Sequence, residues 1–289
     1  MIITVASGKG GTGKTLISTS LALSLGKDAV FLDCDVEEPN GYIFLKPEIK
    51  DSVKVYLPKP GVSLEKCNFC GRCASICVYN AIAVIKPEAG KRSGNVLFFY
   101  ELCHSCGACS IACPESAIYE KPGEKGEVET GTAKGGFFFA QGRLKPSEAN
   151  PVPLVKAVKK HADKKKVNII DASPGTSCPV VQAVNEADFC LLVTEPTPFG
   201  LNDLELAVKM TRELKVPAGV IINRSDIGND EVEKYCLKEN VPVLLRIPFK
   251  KEIAVAYSKG IPLVELSPGY NKVFKKLFKD ICGIAEAKS

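Results

Sequence analysis

The sequence predicts an α/β fold, a mostly parallel sheet covered by helices, interrupted by a separate cysteine-rich insert. Two observations predict it. Short apolar runs alternate with helical periodicity toward both ends of the chain, and between those regions eight of the thirteen cysteines fall into two near-copies of one pattern. The 289 residues, 45% of them apolar, suffice for a substantial core.

Ile2 to Ala6 reads as the first strand, Lys14 to Leu25 as a helix and Ala29 to Leu32 as the second strand. Later strands are expected at Val167 to Ile170, Phe189 to Val193, Gly219 to Ile222 and Val243 to Ile247, with helices near 179–187, 200–214, 230–239 and 250–258. Continuous apolar runs of this length suit strands buried on both faces, hence a parallel sheet. The rhythm breaks where Pro58, Pro60 and Gly61 on one side and Pro122 and Gly123 on the other punctuate the chain. Residues 1–57 and 122–289 are therefore read as one discontinuous domain and 58–121 as an insertion. Beyond it, Phe137, Phe138 and Phe139 stand in a glycine-rich stretch and require burial, as a returning strand or a contact between the domains.

Gly8-Lys9-Gly10-Gly11-Thr12-Gly13-Lys14-Thr15 follows a strand and opens a helix, the setting of a phosphate-binding loop. Gly8, Gly10, Gly11, Thr12 and Gly13 let backbone N–H groups approach phosphate oxygens. Lys14 is placed to reach the β and γ phosphates, and Thr15 to offer its hydroxyl to Mg²⁺. With its second lysine, Lys9, the loop resembles the deviant P-loop of the MinD/Mrp/ParA class of P-loop ATPases, which includes the nitrogenase iron protein. That resemblance implies that Lys9 reaches across a homodimer to the partner's ATP, so that nucleotide is sandwiched between subunits. It implies further that Asp35, in Asp33-Cys34-Asp35, orients the attacking water, while Asp33 supports the Mg²⁺ and phosphate region. Ile169-Ile170-Asp171 resembles a Walker B strand, with Asp171 on Mg²⁺ through water and Gly175 near the γ-phosphate. By the same resemblance Asn223 bonds adenine and the Arg246-Ile247-Pro248-Phe249 segment, through Pro248, lines the base. For Asn223 a cap on the following turn is the alternative.

Cys67-x2-Cys70-x2-Cys73-x3-Cys77 and Cys103-x2-Cys106-x2-Cys109-x3-Cys113-Pro114 repeat with a period of 36 residues, which also aligns Gly71 with Gly107 and Ala81 with Ala117. The run resembles that of bacterial two-cluster ferredoxins, in which the fourth cysteine serves the other cluster. The resemblance implies one [4Fe–4S] cluster on Cys67, Cys70, Cys73 and Cys113, and a second on Cys103, Cys106, Cys109 and Cys77. Zinc, held by paired thiolates across a long loop, suits this spacing poorly. Val78 stands where the first run would carry proline. The other cysteines, Cys34, Cys178, Cys190, Cys236 and Cys282, are isolated, and all but Cys178 read as core thiols.

The net charge of +5 names no nucleic-acid partner. Six lysines between Lys156 and Lys166 read as a solvated helix face behind Leu154, Val155 and Val158. The N-terminus leaves no room for a leader, and no run approaches the length of a membrane span. The basic, amphipathic last helix reads as one that closes the sheet, so no membrane contact is expected. Cysteines at metal-ligand spacing beside a nucleotide loop point to a reducing, low-oxygen cytoplasm.

These expectations converge on a Mg²⁺-dependent ATPase, a nucleotide-switched dimer that couples ATP to electron transfer through two [4Fe–4S] clusters to a client protein. The alternatives are an iron–sulfur cluster carrier and, less favoured, a MinD-like spatial organiser. Cobyrinic acid amide synthesis, an activity assigned to some relatives, would need a glutamine-hydrolysing domain for which no residues remain.

Overall fold

Strand residues covered on both faces cannot afford polar alternation, and Val5, Phe31, Ile169, Leu191 and Ile221 are accordingly all buried. The structure is a computed structural model that describes residues 1–87 and 94–287. It divides into two compact units, one of Met1–Val53, Val128–Arg143 and Val152–Ser289, the other of Lys54–Glu127 and Leu144–Pro151. The sequence boundaries at 58 and 121 thus fall inside the second unit, which also takes in a segment from beyond the expected insert.

In the first unit, β1 (Ile2–Ser7), α1 (Lys14–Leu25), β2 (Ala29–Cys34) and α2 (Gly41–Leu45) open the chain. β3 (Glu48–Val62) then runs from this unit into the second. The second unit carries α3 (Arg72–Ser75), β4 (Ile82–Ile85), β5 (Asn95–Phe98) and α4 (Ala108–Ile111), and β6 (Ile118–Thr132) leads back. After β7 (Phe138–Leu144) and α5 (Val152–Lys159) the α/β alternation resumes. Its elements are β8 (Val167–Pro174), α6 (Cys178–Val184), β9 (Phe189–Thr194), α7 (Pro198–Glu213), β10 (Ala218–Asn223), α8 (Glu231–Lys238), β11 (Val243–Ile247), α9 (Lys251–Ser258), α10 (Leu263–Leu266) and α11 (Pro268–Glu286). The sheet orders them β11-β10-β9-β1-β8-β2-β7, every neighbour parallel, and β6 and β3 continue it beyond β7.

Phe138 and Phe139 open a returning strand, and Phe137, just before it, is buried. Phe139 pairs in register with Phe31 of β2, and their rings stack at 5.9 Å in the core, while Phe138 on the opposite face stacks on His161 at 5.9 Å.

α1 is buried on nearly every side. Leu16, Ile17 and Leu21 each contribute roughly 1.5–3 kcal/mol by burial, far above the tenths that separate helix propensities. Its buried hydroxyls are satisfied locally, Thr19 donating to the Thr15 carbonyl at 2.6 Å and Ser24 to that of Leu21 at 2.7 Å. The last helix, α11, buries Phe274, Leu277 and Ile281 in the same core, so its apolar face closes the unit as expected. Among the described residues no helix is long and apolar enough to cross a membrane.

The lysine-rich segment departs from its expectation. α5 ends at Lys159, and Lys159 is not solvated: its ammonium donates to the carbonyls of Gln182, Ala183 and Asn185 at 2.8, 3.2 and 2.6 Å. The end of α6 leaves those carbonyls without helical partners, and a long basic side chain from the preceding helix, joined at Ala183 by the Thr4 hydroxyl, satisfies them.

Candidate functional site

Parallel strands direct their carboxyl ends to one edge, where α/β sheets bind ligands. Here that edge gathers the loop after β1, Asp33 and Asp35 around the end of β2, Asp171 in β8, Glu195 after β9, Asn223 at the end of β10 and Pro248 after β11. Val5 pairs with Asp171, and Asp171 pairs with Asp33, so strand register alone brings the loop and two of the aspartates together.

The loop needs its glycines for different reasons. Gly13 has φ 93° and caps α1, while a Cβ on Gly8 would stand 2.4 Å from that of Asp203. Gly10 and Gly11 face open space on their Cβ side. The Thr12 hydroxyl is buried without a protein partner, an orphaned donor in the middle of the cradle.

Lys14 is almost fully buried and lies 2.8 Å from Asp171 and 3.8 Å from Asp35. Burial alone would push the ammonium down; the two carboxylates outweigh it and hold Lys14 above its ordinary value. Thr15 donates its hydroxyl to the other oxygen of Asp171 at 2.7 Å. Thr15 and Asp171 thus stand as the pair expected to hold Mg²⁺, one directly and one through water, and the carboxylates of Asp171 and Asp35 beside Lys14 make a hard-oxygen set that suits a divalent cation. Asp35 is pushed up to about 6 by burial, against the pull of Lys14. Asp33 is raised as well, first by burial and then by the charge of Asp171, and both its oxygens accept backbone N–H groups, from Asp35 at 3.1 Å and Gly41 at 2.8 Å. Asp33 therefore fixes the course of the Asp35 loop. Gly175, at φ 95°, donates its N–H to the Ser7 carbonyl at 2.8 Å, which ties the turn after β8 to the start of the loop.

Lys9 lies 3.6 Å from Glu195, which also pairs with Arg224 at 2.8 Å. Neither Glu195 nor Arg224 carries a sequence motif that would have singled it out for this role. Asn223 donates to the Thr12 carbonyl at 2.8 Å and accepts the Arg224 N–H at 3.0 Å, which is also the turn-capping alternative. Beside it Gly11, Gly13, Pro248, Phe249, Ile253 and Tyr257 line a cavity of about 260 Å³, of which the sequence reading identified Gly11, Gly13, Asn223 and Pro248.

The second unit turns the sequence repeat into a repeat of backbone conformation. Positive φ values occur at Phe69, Gly71 and Asn80 and again 36 residues later at Ser105, Gly107 and Ser116. Ala81 N–H donates to the Cys77 sulfur and Ala117 N–H to the Cys113 sulfur, both at 3.3 Å. Ser63 N–H bonds the Ala117 carbonyl and Phe99 N–H that of Ala81, so the halves exchange partners. Cys67, Cys70, Cys73 and Cys113 line one cavity; Cys77, Cys103, Cys106 and Cys109 line another. All eight are free thiols. Among the described residues no group of three His, Cys, Asp or Glu side chains is placed to hold a single metal ion.

The donor set can be tested against an iron–sulfur cluster. Four thiols spaced around a cavity fit a group in which each iron takes its own thiolate, whereas zinc draws its ligands to about 2.3 Å from one point. Backbone N–H groups already point at sulfur, and the Ser105 hydroxyl, buried without a partner, lines the second cavity. The residues present fit the group. At the second cavity Tyr79 stacks on His104 at 3.6 Å, and burial, aided by the charges of Lys125 and Lys59, holds the His104 imidazole below its ordinary value.

Of the remaining cysteines, Cys34, Cys190 and Cys236 are buried and Cys178 is exposed, as expected, whereas Cys282 is only half-buried.

The family described as the CobQ/CobB/MinD/ParA nucleotide binding domain matches residues 3–263. An uncharacterized protein of Methanocaldococcus jannaschii is 32% identical over 90% of this chain and 90% of its own length. An iron–sulfur cluster carrier protein of the same organism is 31% identical over 42% of this chain and 47% of its own. Among solved structures, the septum site-determining protein MinD with Mg-ADP from Pyrococcus horikoshii covers 100% of this chain and 98% of its own, at TM-score 0.55 and 20% identity, a likeness of fold.

Proposed function

The chain belongs to the CobQ/CobB/MinD/ParA nucleotide-binding family, and from that premise we propose a Mg²⁺-dependent ATPase, dimeric around ATP, that drives electron transfer through two [4Fe–4S] clusters to a client protein. The observation that carries the redox half is the crossing of the repeats: each cavity takes three cysteines from one repeat and the fourth from the other.

In this reading the loop N–H groups and Lys14 bind the phosphates, Thr15 and, through water, Asp171 hold Mg²⁺, and Asp35 orients the attacking water. Mg²⁺, held by Thr15 and Asp171, would supply positive charge at the phosphates. Asn223 and the Pro248 segment receive the base. Bound clusters would supply one-electron chemistry; the eight cysteines would hold them, with backbone N–H groups directed at the sulfurs of Cys67, Cys77 and Cys113.

Chain connectivity gives the two sites a route of influence. Asp33 grips Gly41, the first residue of α2, and β3 begins soon after α2 and runs on into the cysteine-bearing unit. Moving a two-state element from 1:99 to 99:1 takes about 5.5 kcal/mol, and charge-assisted hydrogen bonds are worth about 1.5–3 kcal/mol each. A few contacts that exist only with the γ-phosphate, through Lys9, Lys14 and the Gly175 turn, supply that.

A cluster-carrier function is the second reading, favoured by the relatives named iron–sulfur cluster carrier proteins. Against it, no Cys-x-x-Cys follows Cys113 in the sequence. A membrane-bound organiser is disfavoured because the apolar face of α11 is spent on the core.

The test is the midpoint potential of the clusters in anaerobically purified protein, followed by electron paramagnetic resonance with and without MgATP. The expected result is a nucleotide-dependent shift that Lys14→Ala abolishes. Loss of iron from this chain to an apo-protein, with potentials indifferent to nucleotide, would establish the carrier instead.

A further inference from the structure

The two cysteine cavities are related by the repeat, yet their surroundings differ in charge. Lys59 and Lys125 are buried, at 3% and 1% exposure, and share a single carboxylate, Glu148, at 2.9 and 3.2 Å. Lys59 also donates to the carbonyls of Tyr100 and Cys103 at 3.1 and 3.2 Å. Cys103 lines the second cavity, and so do Pro58 and Pro60 on either side of Lys59. Two buried ammonium groups against one carboxylate leave one positive charge uncompensated beside that cavity. Neither lysine lines the cavity itself, where the charged residue among those described, Glu120, is exposed.

Among the described residues, the first cavity has no such group. Its charged lining residues are Arg72 and Glu115, opposite in sign and both exposed, where solvent screens them. Ser105, whose buried hydroxyl has no partner at the second cavity, has Phe69 as its counterpart at the first.

Resting on the reading of these cavities as cluster sites, we infer that Lys59, Lys125 and Glu148 set the order of the two potentials. Their net positive charge makes the group on Cys77, Cys103, Cys106 and Cys109 the easier of the two to reduce. Reduction adds one negative charge, which a buried cation stabilises strongly where the surroundings are poorly polarisable. An electron passing from the first site to the second oxidises one group by one electron and reduces the other by one, and no proton or further reactant takes part. The second site is then where an electron rests, and the first is the stronger reductant.

The experiment uses the full chain, purified anaerobically, in wild type, Lys125→Met and Glu148→Gln forms. Iron and acid-labile sulfide are counted first, then both midpoints are titrated by electron paramagnetic resonance. Lys125→Met leaves Lys59 paired with Glu148 and replaces a buried ion by an apolar chain of similar length, a change that proteins tolerate well. It should lower the upper midpoint by the equivalent of about tenfold in the reduction equilibrium, about 59 mV for one electron. Glu148→Gln should raise the same midpoint, and the lower midpoint should stay in place in both variants. Should Lys125→Met fail to fold, the opposite-signed shift in Glu148→Gln still decides. An upper midpoint that does not move, or two midpoints that move together, overturns the inference while leaving the clusters in place. Wild-type protein without two clusters' worth of iron and sulfide overturns the cluster reading itself, and this inference with it.

Discussion

Asp35 shows how one side chain ties stability to chemistry. A carboxylate that orients water must be ionised, and burial lifts Asp35 to about 6. Hydrolysis should therefore rise as pH climbs through about 6 and level off above it, and Asp35→Asn should lower kcat by about 10²- to 10⁴-fold, measured by phosphate release. The same shift acts on folding. Below about pH 4 the group is protonated in both folded and unfolded chains; as pH rises from there to about 6 the unfolded carboxyl ionises first, and about 3 kcal/mol of stability is lost. In metal-free, nucleotide-free buffer Asp35→Asn should thus melt above wild type near pH 7.5 and level with it near pH 4. A melting difference that is flat across that range would disprove the raised carboxyl. Sequence could identify Asp35 because it stands in a local motif with Asp33. Glu195, which joins Lys9 to Arg224, was not legible, since it follows an ordinary strand and its role exists only once three strand ends meet. Lys59 and Lys125 were hidden for the same reason: each looks like any lysine among prolines and glycines, and only folding buries them against Glu148.

The same limit recurs in whole elements. Because a run such as Phe189–Thr194 is buried throughout, the apolar strands were legible to within a residue or two, except that β8 runs on to Pro174, four residues past its expected end. β3 was missed: most of its residues from Glu48 to Val55 are exposed, so the run has neither continuity nor alternation, and its proline-rich end reads as a loop. α5 was legible in its apolar face but not in its last turn. There Lys159 gives three hydrogen bonds to carbonyls around the end of α6, and removing it takes that donor from Gln182 and Asn185, while Ala183 keeps the Thr4 hydroxyl at 3.0 Å. Lys159→Met should cost about 2–3 kcal/mol in urea unfolding, as a lower midpoint with unchanged slope. Lys160→Met, at an exposed neighbour, should stay within about 0.5 kcal/mol. Equal effects of the two substitutions would return Lys159 to the solvated face expected from sequence.

At the scale of the molecule, the open matter is what closes over the nucleotide. Lys9 is a third exposed and only 3.6 Å from Glu195, a contact worth about 0–1 kcal/mol at such exposure. Glu195 keeps Arg224 at 2.8 Å if Lys9 leaves, so departure strands no charge. A lysine bonded to a phosphate gains about 1.5–3 kcal/mol, which exceeds what Lys9 gives up. The balance favours Lys9 swinging away from its own protomer once a partner presents ATP. With hydrolysis slowed by Asp35→Asn, sedimentation should show a dimer in MgATP and a monomer in MgADP. Adding Lys9→Ala should return the MgATP sample to monomer while leaving ATP affinity within a few-fold, since Lys14 and the loop N–H groups still hold the phosphates. Glu195→Gln, which loosens the hold on Lys9 within the protomer, should act in the other direction and shift dimerisation to lower protein concentration. A dimer that persists in Lys9→Ala would mean that Lys9 serves its own protomer, with Glu195 as its permanent partner.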